Sequence, residues 1–151
     1  MATLTLTIKE DLVINGKQQG TSNVTDITGI NNVYNRVYVI DSTEDTVLDF
    51  QADRSNGGSV EDETLKYARF TRTDSNTANT VDLRVQSTVD NKEFIIRLSA
   101  GESYIMFFDS IDAESVSASI GGGFSASQID VIKAICSAAD GATLEVLVAQ
   151  S

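Results

Sequence analysis

Hydrophobic and polar positions alternate along much of this chain with a period of two, the repeat of a half-buried β-strand. The pattern is densest between residues 65 and 109, where strand-like runs at 65–71, 81–85, 94–98 and 104–108 follow one another. Asp, Asn, Ser, Thr or Gly lies between each run and the next. In the second run Val81, Leu83 and Val85 share one face, and Asp82 and Arg84 take the other. Short strands at this spacing predict an all-β fold, an antiparallel β-sandwich.

The same alternation opens the chain. Leu4, Leu6 and Ile8 face one way and Thr3, Thr5 and Thr7 the other, so this strand should half-bury itself on a sheet or lie along a neighbouring subunit. Leu12-Val13-Ile14 then runs into Asn15-Gly16, the strongest short hairpin signal, and a further strand is expected after Gly20. Residues 33–40 are β-branched and aromatic enough for a strand buried on at least one face, with residues 46–52 as its expected partner. Residues 53–63 read as a surface loop, and Gly121-Gly122-Gly123, within the Ser/Ala/Gly-rich stretch 110–127, as a flexible link. At 128–138 the helical spacing of Ile129, Ile132 and Ile135 or Cys136 competes with a β-branched composition, and a strand is preferred. Asp140-Gly141 predicts a hairpin into 144–148. The resulting plan is an N-terminal strand and hairpin at 1–20, a candidate assembly arm, followed by a sandwich domain at 21–151.

Composition narrows the chemistry. The chain has 151 residues, one Cys and no His, Trp or Pro, enough for one domain with a real core. Without His it lacks the commonest general acid and base, and neither a Ser-His-Asp triad nor a His-ligated metal site can be built. The net charge of −11 argues against binding nucleic acid. Lys66, Arg69, Arg72, Arg84, Lys92 and Arg97 are interleaved with acids and read as solvated, outward-facing strand positions. Acidic groups such as Glu61-Asp62-Glu63 lack calcium-loop spacing and read as solvated loops. Cys136 sits in an apolar segment as a small hydrophobe. The first residues carry neither a basic leader nor a long apolar stretch, so cytoplasmic synthesis with no membrane span is expected. No catalytic, cofactor-binding or metal-binding residue stands out.

Several phrases resemble small structural proteins of tailed bacteriophages, of the marine or cyanobacterial type. They are residues 4–10 with Val13-Ile14-Asn15-Gly16-Lys17, the asparagine-led strand at 30–36, and Leu65-Lys66-Tyr67-Ala68-Arg69-Phe70-Thr71. The continuation at 98–104 and the ending from Ile132-Lys133-Ala134 through Leu144-Glu145-Val146-Leu147-Val148 fit the same pattern. The resemblance implies a jelly-roll-like virion component, such as a capsid decoration or cement protein. It would be made in the host bacterial cytoplasm and contact the major capsid protein or other virion proteins. The alternative in the same fold is a tail- or fibre-associated receptor- or glycan-binding module. Two features suit assembly. The first is the threonine-alternating strand, through Leu4, Leu6 and Ile8. The second is the run 104–108, apolar on both faces, through Ile105 and Phe107, which fits either a central strand buried on both sides or the interface of a homo-oligomer, most simply a trimer.

Overall fold

The computed structural model of the chain describes residues 1–51, 59–61, 64–87, 92–107 and 129–151. Strands β1 (Ala2–Lys9), β2 (Val13–Ile14), β3 (Lys17–Gln18) and β4 (Ser22–Ile30) come first, then β5 (Asn32–Ile40), β6 (Asp45–Gln51) and β7 (Ser59–Glu61). They are followed by β8 (Leu65–Arg72), β9 (Val81–Ser87), β10 (Lys92–Leu98), β11 (Ser103–Phe107), β12 (Val131–Cys136) and β13 (Ala142–Gln150). The run at 128–138 is therefore a strand over its centre. Phe108 and residues 110–127 lie outside the described residues.

Two sheets form the body. One has the order β11-β8-β13-β5, the other β10-β9-β12-β6-β7. Apart from the short parallel pair β6–β7, every ladder is antiparallel. The pairs are nested: β5 lies beside β13, β6 beside β12, β8 beside β11 and β9 beside β10, alternating between the sheets. That is the connectivity of a double Greek-key jelly roll, so the all-β sandwich expected from the alternation is the fold observed.

Three local expectations change. Residues 46–52 were expected to pair with 33–40, yet β5 pairs with β13, and β6 belongs to the opposite sheet. Asp140-Gly141 turns the chain, but it joins β12 to β13 across the sandwich and so is no hairpin. The stretch 53–63 contains β7, which adds to the edge beside β6. In each case period and turn chemistry identify the element, whereas the choice of sheet is set by how eight strands bury one set of inward faces.

That burial explains the inward residues. Val81, Leu83 and Val85 of β9, Leu144, Val146 and Val148 of β13, and Ile132 and Ala134 of β12 are fully or almost fully buried and meet in one core. The Tyr38 hydroxyl donates across the sandwich to the carbonyl of Val47 at 3.1 Å.

Arg72 departs most from the outward-facing expectation. It continues the inward series Ala68, Phe70, Arg72, and it is the largest fully buried side chain. Its Nε donates to Asp74 at 2.9 Å and its Nη2 at 2.7 Å. The guanidinium also donates to the carbonyls of Asn76 and Asn79. Asp74 in turn accepts the backbone N–H of Asn76 and of Thr143, each at 3.0 Å. Asn79 closes the set by donating to Asp140 at 2.9 Å. The bidentate bond from Arg72, with the two backbone N–H groups, holds the Asp74 carboxyl far below its ordinary range. This network ties the β8–β9 connection to the turn entering β13.

Removing one partner of such a pair strands the other charge in the interior, at a cost of about 3–5 kcal/mol. Asp74→Ala should therefore lower the melting temperature far more than a surface Asp→Ala, and Arg72→Met less than Asp74→Ala. Because the folded-state pKa of Asp74 is depressed, its contribution is complete above the unfolded carboxylate pKa of about 4 and is lost as pH falls below it. The melting-temperature gap between the wild type and Asp74→Asn should narrow progressively below that pH.

Candidate interaction surface

β1 and β4 pair antiparallel from Ala2–Ile30 to Lys9–Ser22, forming a separate two-stranded ribbon. The ribbon continues through Glu10 N–H to the Thr21 carbonyl and Gln19 N–H to the Leu12 carbonyl, both at 2.7 Å, into the small β2–β3 ladder. Asn15 (φ 53°) and Gly16 (φ 76°) make its turn, with both residues in the left-handed region that a two-residue hairpin needs. Gly20 is fixed by close approach: a Cβ there would lie 1.8 Å from the Glu10 carbonyl oxygen. The hairpin thus reaches Ile30, ten residues beyond the N-terminal segment 1–20, before β5 begins.

The base of this ribbon lies on the outer face of the β11-β8-β13-β5 sheet. Leu4, Leu6, Ile27 and Ile30 pack with Tyr67, Ile105, Phe107, Leu147 and Ala149 in a second hydrophobic cluster outside the sandwich. Tyr67 and Phe107 meet edge to face, with centroids 5.8 Å apart. The apolar character of β11 on both faces now has a cause. It is an edge strand, with Tyr104 and Met106 toward the main core and Ile105 and Phe107 under the ribbon.

Of the five candidate assembly residues, four therefore meet within the chain, namely Leu4, Leu6, Ile105 and Phe107. Ile8 stands apart and is exposed. It is joined on the distal half of the ribbon by Leu12, Val13, Ile14 and Val24, which are 50–63 % exposed. The sequence marked Val13-Ile14 as the run into a hairpin turn but named none of these four residues as an assembly position, although apolar residues beside such a turn are a readable signal for an apolar tip. A second exposed apolar row lies on β5, where Val33, Val37 and Val39 are 54–75 % exposed.

The outer face of the other sheet is quite different. Arg97 makes a bidentate pair with Asp82 at 2.7 and 2.8 Å, and this holds the Asp82 carboxyl below its ordinary range. Arg84 pairs with Glu44 at 2.7 Å and Glu93 at 3.7 Å, and Lys133 with Glu44 at 3.2 Å. The cations are answered by neighbouring carboxylates, so this face offers no basic stripe. Among the described residues no group of three or more His, Cys, Asp or Glu is placed to hold a metal ion. Cys136 is buried with a free thiol.

No family model and no curated protein matches the chain. Among solved structures, it is similar over 99 % of its length to 87 % of the family 11 carbohydrate-binding module of the cellulosomal cellulase Lic26A-Cel5E of Clostridium thermocellum. The identity is 11 % and the TM-score 0.32, a likeness that carries no weight on role.

The geometry separates the ribbon from the sandwich energetically. Leu6→Asp puts a carboxylate in the outer cluster, so hydrogen exchange should show the amides of β1 and β4 losing protection while those of β9, β12 and β13 keep theirs. Equal loss in both sets would show that ribbon and sandwich unfold as one unit.

Proposed function

We propose that this chain is a non-enzymatic structural component of a bacteriophage virion, a capsid decoration or cement protein that self-associates, most simply as a trimer, on the major capsid protein. The observation that carries this reading is the ribbon: anchored at its base by a dedicated hydrophobic cluster, it holds Ile8, Leu12, Val13, Ile14 and Val24 out to solvent. Two-stranded ribbons are marginal in water on their own, and exposed apolar side chains gathered on one projecting element, here on both of its faces, mark a site of association. A rigid sandwich presenting such a ribbon is suited to burying surface against neighbours. The phrases shared with phage structural proteins name the setting, and the jelly roll is an architecture that capsid proteins use.

Particles lacking the protein should release their DNA at lower temperature than complete particles, and adding back the purified protein should restore the difference. A variant carrying Ile8→Asp and Val13→Asp, both at exposed positions, should melt like the wild type and occupy particles poorly. Binding of the isolated protein to host cells or glycans, with no binding to capsids, would replace this reading with that of a receptor-binding module.

A further inference from the structure

Two segments of this acidic chain contain no acid. Residues 12–25, the end of the ribbon beyond Glu10 and Asp11, contain no Asp or Glu and one cation, Lys17, which makes no ion pair among the described residues. Residues 27–40, leading into and along β5, contain no Asp or Glu and one cation, Arg36. In a chain of net charge −11 both segments also carry exposed apolar side chains: Leu12, Val13, Ile14 and Val24 on one, Val33, Val37 and Val39 on the other, whereas the exposed Phe94 and Ile95 of β10 stand beside Glu93.

β5 differs from the other sheet edges. It is nine residues long and pairs with β13 with no register shift, whereas β7 has three residues, β11 has five, and β10 carries Glu93 and Arg97. Natural sheets blunt such edges with Lys, Pro or bulges, and β5 has none of them. Its valine row also continues a contact the molecule already makes. Ala149, under the ribbon base, is directly opposite Val33, and the outward series runs on through Asn35, Val37 and Val39. One half of this sheet face is thus covered by the chain's own ribbon base, and the other half is bare.

We propose that the bare half receives the ribbon tip of a second copy of this chain, in head-to-tail fashion. The occupant is argued from three observations. The same sheet face already accepts the apolar side of this same ribbon. From Ile8 to Ile14 the ribbon extends about 20 Å at about 3.3 Å per residue, shorter than the nine-residue β5 strand, so the tip fits along the row. Across the ribbon from residue 8 to 25, Lys9 and Lys17 balance Glu10 and Asp11, and Glu145, opposite Val37 on the bare face, is paired with Arg69, so a neutral tip docks without the repulsion two acidic bodies meet elsewhere. Head-to-tail contacts close into a ring when the rotation between copies allows it, and the trimer proposed above is such a ring. The inference rests on the self-associating role proposed above and names the surfaces that carry it.

Sedimentation velocity on the full-length wild type and two variants tests the exchange. One variant, Val13→Asp with Ile14→Asp, spoils the tip, and the other, Val37→Lys with Val39→Lys, spoils the face. All four positions are exposed, and matching thermal melts confirm folding. The wild type should be oligomeric at micromolar concentration, and each variant should be monomeric, with self-association weakened about 100-fold or more. An equimolar mixture of the two variants should form dimers, because the intact tip of one meets the intact face of the other and the chain of contacts stops there. A monomeric wild type, a face variant of wild-type size, or a mixture that stays monomeric overturns the proposal. If the wild type is monomeric in solution yet occupies capsids through its tip, the exchange fails and the decoration role stands. If the oligomer forms as described and capsids remain unbound, the decoration role fails and the exchange stands.

Discussion

The strand on which the rest of the molecule depends is β13, because it is pressed between two hydrophobic clusters. It pairs with β5 along its full length and with β8 over most of it. Leu144, Val146 and Val148 bury inward, while Leu147 and Ala149 pack outward beneath the ribbon. A sheet face left to water would need polar residues at those outward positions. Here they are apolar only at the end of the sheet where Leu4, Leu6, Ile27 and Ile30 arrive. The ribbon and the sandwich therefore specify one another: among the described residues, the ribbon base buries itself against this sheet, and the ribbon is what covers Tyr67 and Phe107.

Much of this was legible in the sequence because a strand repeats every two residues. The alternations of β1, β9 and β13, and the Asn15-Gly16 turn, appear in the structure where the pattern puts them. What the pattern does not encode is which strands share a sheet. β5 and β6 are adjacent in sequence and both strand-like, yet they face each other across the core, because a nested jelly roll sends consecutive strands to opposite layers. Arg72 was misplaced for a different reason. Residue type argued for solvent, whereas its parity with Ala68 and Phe70 argued for the interior, and a bidentate carboxylate with backbone acceptors let parity win. The outer cluster had its own signal, since Ile105, Phe107 and Leu147 are apolar at positions that should face water. That signal says the outward face is covered without saying what covers it.

The two outer faces of the sandwich are chemically opposite, and this bears on where recognition can occur. On the β10-β9-β12-β6-β7 face, Arg97, Arg84 and Lys133 are already engaged by Asp82, Glu44 and Glu93. A partner binding there would have to break pairs that are partly exposed and individually weak, and it would gain little that water and the neighbouring side chains do not already supply. The aromatic side chains offer little more. Tyr67 and Phe70 are buried, and Tyr34, Tyr38 and Tyr104 pack against the main core. Among the described residues Phe94, at the β10 edge, is the exposed ring.

Apolar contact is what remains, and among the described residues it is concentrated on the distal ribbon and the β5 row, with Phe94 and Ile95 beside Glu93 a further exposed pair. For a chain with twice as many acids as cations, this concentration has an electrostatic logic. Long-range repulsion between acidic molecules keeps them soluble and suppresses casual association through most of their surface. It is screened over roughly 8–10 Å at physiological ionic strength, so it opposes approach far more than it opposes a contact already formed. A neutral or slightly cationic ribbon projecting beyond the acidic body meets this barrier where it is weakest, and once seated it buries side chains whose gain is insensitive to salt. On the proposed exchange, the lack of acids in residues 12–25 and 27–40, while the body retains its charge, would separate solubility from association within one small chain.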